Sequence, residues 1–181
     1  MPALDPRASL ERSRAMELTL DRAVPADAAE LAALHAAVAM DLTGRYGEGH
    51  WSSVPSEKTV LRGIETCRVL VARGGEGLIV ATLRLATKKP WAIDPAYFRP
   101  AKRPLYLLDM AVAPAAQRRG LGRRLMVAAF AEARAWPAEA IWLDAYDAPA
   151  GAGGFYARCG FEEVGRVIYR GVPLLYYQWI A

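Results

Sequence analysis

Residues 105–136 read LYLLDMAVAPAAQRRGLGRRLMVAAFAEARAW, which parses as a buried strand, a proline-marked turn, a basic glycine-bearing loop and a helix. Leu105–Val112 is apolar apart from Asp109 and the Tyr106 hydroxyl, as expected of a strand covered on both faces. Pro114 ends it, because proline donates no ladder hydrogen bond. Beyond the loop, Leu121, Leu125, Ala128, Ala129 and Glu132 follow helical spacing, which turns Leu125, Ala128 and Ala129 inward.

Between strand and helix lies Gln117-Arg118-Arg119-Gly120-Leu121-Gly122. Free N–H groups and the dipole at a helix N-terminus make an anion site. Gly120 and Gly122 let a phosphate approach the main chain, and Arg118, Arg119, Arg123 and Arg124 add positive charge at the rim. The expectation is a pyrophosphate cradle. A dinucleotide fingerprint is excluded, because Leu125 stands where G-x-G-x-x-G needs its third glycine and the loop lies far from the start of the chain. A nucleotide P-loop is excluded because G-x-x-x-x-G-K-[ST] is absent.

The composition fits one domain. At 181 residues, 54% apolar and 23% charged, the chain can bury a substantial core. The expected division is a tail over residues 1–15 and a single domain over 16–181. Met1–Met16 has no continuous apolar core and does not read as a secretory signal. No apolar run is long enough to span a membrane. Cys67 and Cys159 form neither a disulfide framework nor a metal cluster, so the expected location is cytoplasmic and no metal is expected. A net charge of +4 suits a polyanionic small cofactor or a nucleic acid and does not choose between them.

Read in order, the chain opens with a strand at Met16–Ala23 and a helix from Pro25 to about Met40, with His35 as a packed histidine on its inward face. Thr43–Ser53 is a glycine-rich loop. Its Glu48, His50 and Trp51 either line an acceptor site or form a surface turn with Trp51 folded onto the body. A second helix at Ser56–Thr66 leads into a hairpin, Arg68–Arg73 and Leu78–Thr87 around a Gly74–Gly77 turn. Lys88–Lys102 is a long irregular loop whose Trp91 and Phe98 either pin it down or wall an acceptor pocket. After the central unit come a strand at Ala140–Tyr146, a helix at Ala150–Cys159 capped by Gly160, and strands at Phe161–Arg170 and Leu174–Ile180 around a Gly171-Val172-Pro173 turn. This order is that of an α/β (α+β mixed) domain, a mixed sheet of about six to seven strands flanked by about four helices.

A second motif is Phe155-Tyr156-Ala157-Arg158-Cys159-Gly160-Phe161. Together, this F-Y-x-[KR]-x-G-F segment and Q-x-x-G-x-G after Ala-Val-Ala-Pro resemble the GCN5-related N-acetyltransferase (GNAT) family, over about residues 16–181. The resemblance implies acetyl-CoA as cofactor, with Met110, Ala111 and Val112 along its arm and a main-chain N–H as oxyanion donor. It implies Gln117, Arg118, Arg119, Gly120, Leu121, Gly122 and Arg123 at the diphosphate, and Tyr156 beside the sulfur as general acid. That role is chemically sound: a thiol with a pKa of about 8.5 leaves next to a tyrosine of about 10, which is protonated at neutral pH. The family's asparagine before this helix is replaced by Pro149, and Asp147 is the candidate substitute. Gly151, Gly153 and Gly154 weaken the helix by up to about 1 kcal/mol each relative to alanine.

Asp109, a carboxylate in an apolar strand, either lines the acceptor pocket as cation binder or general base, or is a structural residue bonded to a neighbouring loop. Glu48, Asp94, Asp109 and the nearby aromatics favour a small cationic amine as acceptor. The expected protein is thus an acetyl-CoA-dependent N-acetyltransferase with a small-molecule amine partner, no nucleic acid and no membrane; homodimers are common in the family and are admitted here. Two other readings stay open. One is a CoA-binding sensor on the same scaffold. The other is a nucleic-acid-binding domain built on the four arginines, which leaves Gly120 and Gly122 without a purpose.

Overall fold

A computed structural model describes residues 18–181. The expected tail, the boundary at residue 16 and the start of the first strand lie outside the described residues. The chain forms β1 (Thr19–Arg22), α1 (Ala28–Tyr46), α2 (Glu57–Thr66), β2 (Arg68–Arg73), β3 (Ile79–Ala86), β4 (Pro104–Val112), α3 (Leu121–Ala135), β5 (Ala140–Tyr146), α4 (Gly153–Arg158), β6 (Glu162–Tyr169) and β7 (Val172–Ile180). The strands make one seven-stranded sheet in the order β1-β2-β3-β4-β5-β7-β6. Every neighbouring pair is antiparallel except β4 and β5, which are parallel. The α/β architecture expected from the sequence is therefore present.

The parallel pair is the feature that makes a site. It is laddered only at Pro104–Ala140, Leu105–Ile141 and Tyr106–Trp142. Beyond these residues β4 and β5 have no register with each other and part. A bulge accompanies the parting: the register of β4 against β3 shifts between Thr82 and Arg84, and Asp109 takes a left-handed φ of 52°. A bulge adds a residue to one strand and increases its local twist, which carries β4 away from its neighbour.

Each sheet face buries its own apolar set. On one face Leu83, Leu107, Ile141 and Leu143 pack against Leu125, Met126 and Ala129 of α3. On the other, Val69, Val71, Ile79 and Ala111 pack against Leu31 and Leu34 of α1. A third cluster lies under the loop between β3 and β4, where Ile93 and Phe98 cover Tyr106, Trp142 and Tyr176. Phe98 stacks on Trp142 at 4.6 Å between ring centroids, and the Tyr176 hydroxyl donates to the Ala92 carbonyl. Phe98 is thus the residue that pins this loop. Trp91 has no such role, at 85% exposure.

Three boundaries differ from expectation. Helix α1 runs past Met40 to Tyr46, so Thr43-Gly44-Arg45-Tyr46 is helical rather than loop. An Arg45–Asp41 ion pair of 3.2 Å at i,i+4 spans this last turn. Helix α4 is only six residues long, because the chain turns at Ala148–Gly151 instead, where the Gly151 N–H donates to the Ala148 carbonyl at 2.8 Å. The last hairpin turns at Arg170-Gly171, with φ of 50° and 81°. Two left-handed residues match the strand twist, so Val172 and Pro173 join β7. Among the described residues, no helix is long and apolar enough to cross a membrane.

Candidate active site

Where β4 and β5 part, a groove opens. Its floor is Met110, Ala111 and Val112 of β4. One wall is α1, through Val38, Leu42, Arg45 and Tyr46; the other is the β5–α4 turn and α4, through Pro149–Ala152, Phe155, Tyr156 and Arg158. The far end is the β4–α3 loop, with Gln117, Arg118, Gly120, Leu121, Gly122 and Arg123.

That end has the features of an anion site. Gly120 is the N-cap of α3 in the left-handed region, φ 78°, and has open space where a Cβ would project. No side chain caps the helix, so its first N–H groups are left for a ligand. Arg118 and Arg123 stand at the rim, and Arg45 and Arg158 face in from the walls. None of Arg118, Arg119, Arg123 and Arg158 has a carboxylate partner among the described residues, and the groove lining contains no acid.

Two loop residues do something other than expected. The Gln117 side chain donates to the Val112 carbonyl at 3.2 Å, fastening the loop to the end of β4. A Cβ on Gly122 would lie 3.1 Å from the Phe155 ring and 3.2 Å from Met110 Cε, so this glycine admits α4 as well as a ligand. Arg119 is exposed and does not line the groove. Asp147 also lies off it: its carboxylate is 3.3 Å from Arg166 Nη1 on β6, and no groove contact remains to stand in for the missing asparagine.

At the near end the groove meets a second cleft, lined by Leu42, Trp51, Leu108, Asp109, Asp144 and Tyr146 among others. Tyr156, Met110, Leu42, Ala150 and Ala152 line both spaces. Tyr156 therefore stands at the junction. Its ring is 6% exposed, packed beside Phe155, Phe161 and Tyr177. Burial first, then the nearby Asp144 and Cys159, hold its hydroxyl pKa well above the ordinary tyrosine value. It is therefore protonated at neutral pH.

Of the residues expected on the acceptor side, Trp51 lines the cleft, edge-on to Tyr146 at 5.9 Å, and His50 stacks on Tyr146 at 6.3 Å without lining it. Glu48 and Trp91 are exposed and line neither space. Asp94 caps a short turn by accepting from the Ala96 N–H at 3.0 Å. Asp109 is ion-paired with Arg84 at 2.6 Å, its side chain 53% exposed.

A carboxylate that the sequence reading passed over is better enclosed. Asp144 lies on β5 in the cleft lining. Its pKa is raised, chiefly by desolvation and also by the Asp109 charge, against the lowering effect of a backbone hydrogen bond. The signal for it was available, because Asp144 interrupts AIWLDAY just as Asp109 interrupts LYLLDMAV.

The model of the acetyltransferase (GNAT) family matches residues 36–161. The chain belongs to that family. Its solved structural neighbours share the fold at low sequence identity. A GNAT-family acetyltransferase of Listeria monocytogenes superposes with a TM-score of 0.72 at 18% identity, over 92% of this chain and 96% of its own. The ribosomal-protein-alanine N-acetyltransferase of Brucella melitensis gives 0.68 at 22%, over 90% and 99%. The yncA protein of Salmonella typhimurium, solved with its cofactor acetyl-CoA, gives 0.67 at 18%, over 90% and 93%. No curated protein matches the sequence at a significant level. The family motifs read at residues 117–122 and 155–161 thus sit at the far end and on one wall of the same groove, and the protein is an acetyltransferase.

The β5–α4 turn sets how tightly that groove closes. A Cβ on Gly151 would overlap the Tyr146 carbonyl and sit 3.0 Å from the Ala148 oxygen, both fixed main chain. Gly151→Ala is expected to lose about 1–3 kcal/mol of stability in urea melts, the cost of overpacking. It should also weaken acetyl-CoA binding in titration calorimetry, because Pro149–Ala152 form the wall.

Proposed function

We propose that this protein transfers the acetyl group of acetyl-CoA to a primary amine of a small acceptor that arrives as an ammonium cation. The observation that carries the proposal is the meeting of an acid-free, arginine-rimmed groove with a carboxylate-bearing cleft at one buried tyrosine. Acetyl-CoA supplies an activated thioester acyl group. The α3 N-terminus with Arg118 and Arg123 would hold its diphosphate, and the unpaired edge of β4 at Met110–Val112 would hold its arm.

The chain's own groups account for the protons. Asp109 offers its exposed carboxylate to the ammonium group. Asp144, shifted upward by burial, accepts the proton that the amine must lose, directly or through a water. A β4 main-chain N–H stabilises the charge that develops on the carbonyl oxygen. As the C–N bond forms and the C–S bond breaks, the Tyr156 hydroxyl donates a hydrogen bond to the sulfur. Because its pKa lies far above that of a thiol, about 8.5, Tyr156 stabilises the thiolate more than it surrenders a proton to it.

Saturating acetyl-CoA should raise the melting temperature. At a concentration of 100 times its dissociation constant the gain is about 2.7 kcal/mol. Thiol release with an amine panel then tests turnover. Stabilisation without thiol release from any amine would mark a cofactor-binding sensor and overturn the transferase reading.

A further inference from the structure

Beside the acceptor cleft lies a separate recess of about 50 Å³ that the reaction as described does not use. It sits between α1, α2 and the sheet, and its polar lining is His35, Thr59, Thr82, Arg84 and Asp109. Asp109 lines both the recess and the cleft, so the two spaces adjoin at that carboxylate.

Arg84 is incompletely satisfied there. One terminal nitrogen bonds Asp109 at 2.6 Å and the other makes a 3.9 Å contact to the Cys67 sulfur. Its Nε–H is buried and has no partner. A buried donor left unpaired is costly, and native structures leave few of them. Helix α2 packs over the guanidinium at Gly63, where a Cβ would meet Arg84 Cδ at 3.5 Å and Nε at 3.9 Å, ordinary contact distances. His35 in the same lining has no hydrogen-bond partner among the described residues. A water needs roughly 10–15 Å³ by the same measure, so the recess has room for a group the size of a carboxylate.

The charges point the same way. Arg84 already neutralises Asp109, so of the two cleft carboxylates only Asp144 is left as surplus negative charge, enough for one ammonium group rather than for a polycation. The Arg84–Asp109 pair instead places a guanidinium in the lining of the recess and a half-exposed carboxylate in the lining of the cleft. An adjoining carboxylate and ammonium on one small molecule complement that pair end to end. Resting on the transferase reading, we propose that the acceptor is a zwitterion of the amino-acid class, its carboxylate received by the Arg84 guanidinium in the recess and its amine held at Asp109 beside Asp144 and Tyr156.

The test is a thiol-release assay on the wild-type protein with L-amino acids, their carboxamides and the matching decarboxylated amines. The best amino acid should exceed its amide and its decarboxylated amine by about 10- to 100-fold in kcat/KM, the range expected for a lost hydrogen bond to a charged group. Arg84→Gln should bring the three compounds to within about threefold of one another while the thermal shift with acetyl-CoA persists. Equal rates for acid and amide in the wild type mean that the recess holds water only, and they overturn this inference while the transferase reading stands. An equal loss for all three compounds in Arg84→Gln also overturns it, by making Arg84 structural. Thiol release from no amine in any arm, with acetyl-CoA bound, overturns the transferase reading and this inference with it. The wild-type panel decides even where Arg84→Gln fails to fold.

Discussion

Tyr156→Phe is expected to lower kcat by about 100-fold or more, the scale of losing one hydrogen-bond donor aimed at charge that develops in the transition state. The change removes one oxygen and keeps the ring, whose packing against Phe155, Phe161 and Tyr177 is retained. Stability should therefore stay within about 0.5 kcal/mol of wild type. Under the proposed mechanism the hydroxyl acts on the departing sulfur, so the loss should appear in kcat, with the thermal shift from acetyl-CoA unchanged. Steady-state kinetics and cofactor melts on the same preparation check this. Full turnover by the variant would remove Tyr156 from the chemistry.

Asp144→Asn should be the second large effect, a fall in kcat/KM of about 100-fold with a changed pH profile. The wild-type rate should rise with pH as Asp144 ionises, at a higher pH than an ordinary aspartate because burial raises its pKa. The variant has no proton acceptor at this position, so that rising limb should vanish. The stability signature has the opposite sign. A carboxyl with a raised native pKa holds its proton where the unfolded chain has released it. Stability therefore declines with rising pH from about 3.8 up to the native pKa and stays reduced above it. Asparagine carries no charge to desolvate, so Asp144→Asn should be at least as stable as wild type at neutral pH. A variant that keeps the rising limb would place the base elsewhere.

The reading of residues 105–136 carried most of the architecture, because that stretch holds both a buried strand and a helix start whose glycine can be named in advance. What escaped it depended on partners far away in the chain. Asp109 reads alone as an isolated buried carboxylate, yet it is paired with Arg84 on the neighbouring strand. Asp147 reads as a stand-in for an asparagine, yet Arg166 of β6 holds it. Gly44 and Gly47 together suggest a loop, but the helix stops only at Gly47, where φ turns to 79°. Trp91 reads as buried or walling because tryptophan usually is, whereas Phe98 already fills the aromatic stack. The parting of β4 from β5 has no plain local signature, since each strand is apolar apart from its single aspartate and, in β4 and β5 alike, tyrosine hydroxyls.

That parting has a mechanical side. With the ladder confined to Pro104–Tyr106 and Ala140–Trp142, β1–β4 and β5–β7–β6 are two wings on a short hinge. From the hinge to Val112 is roughly 20 Å of strand, so one degree of rotation shifts the tip by about 0.35 Å. Phe98, Trp142 and Tyr176 wedge the hinge side, opposite the groove. Shaving that wedge would change the groove's width through leverage, with no ligand-contacting residue altered.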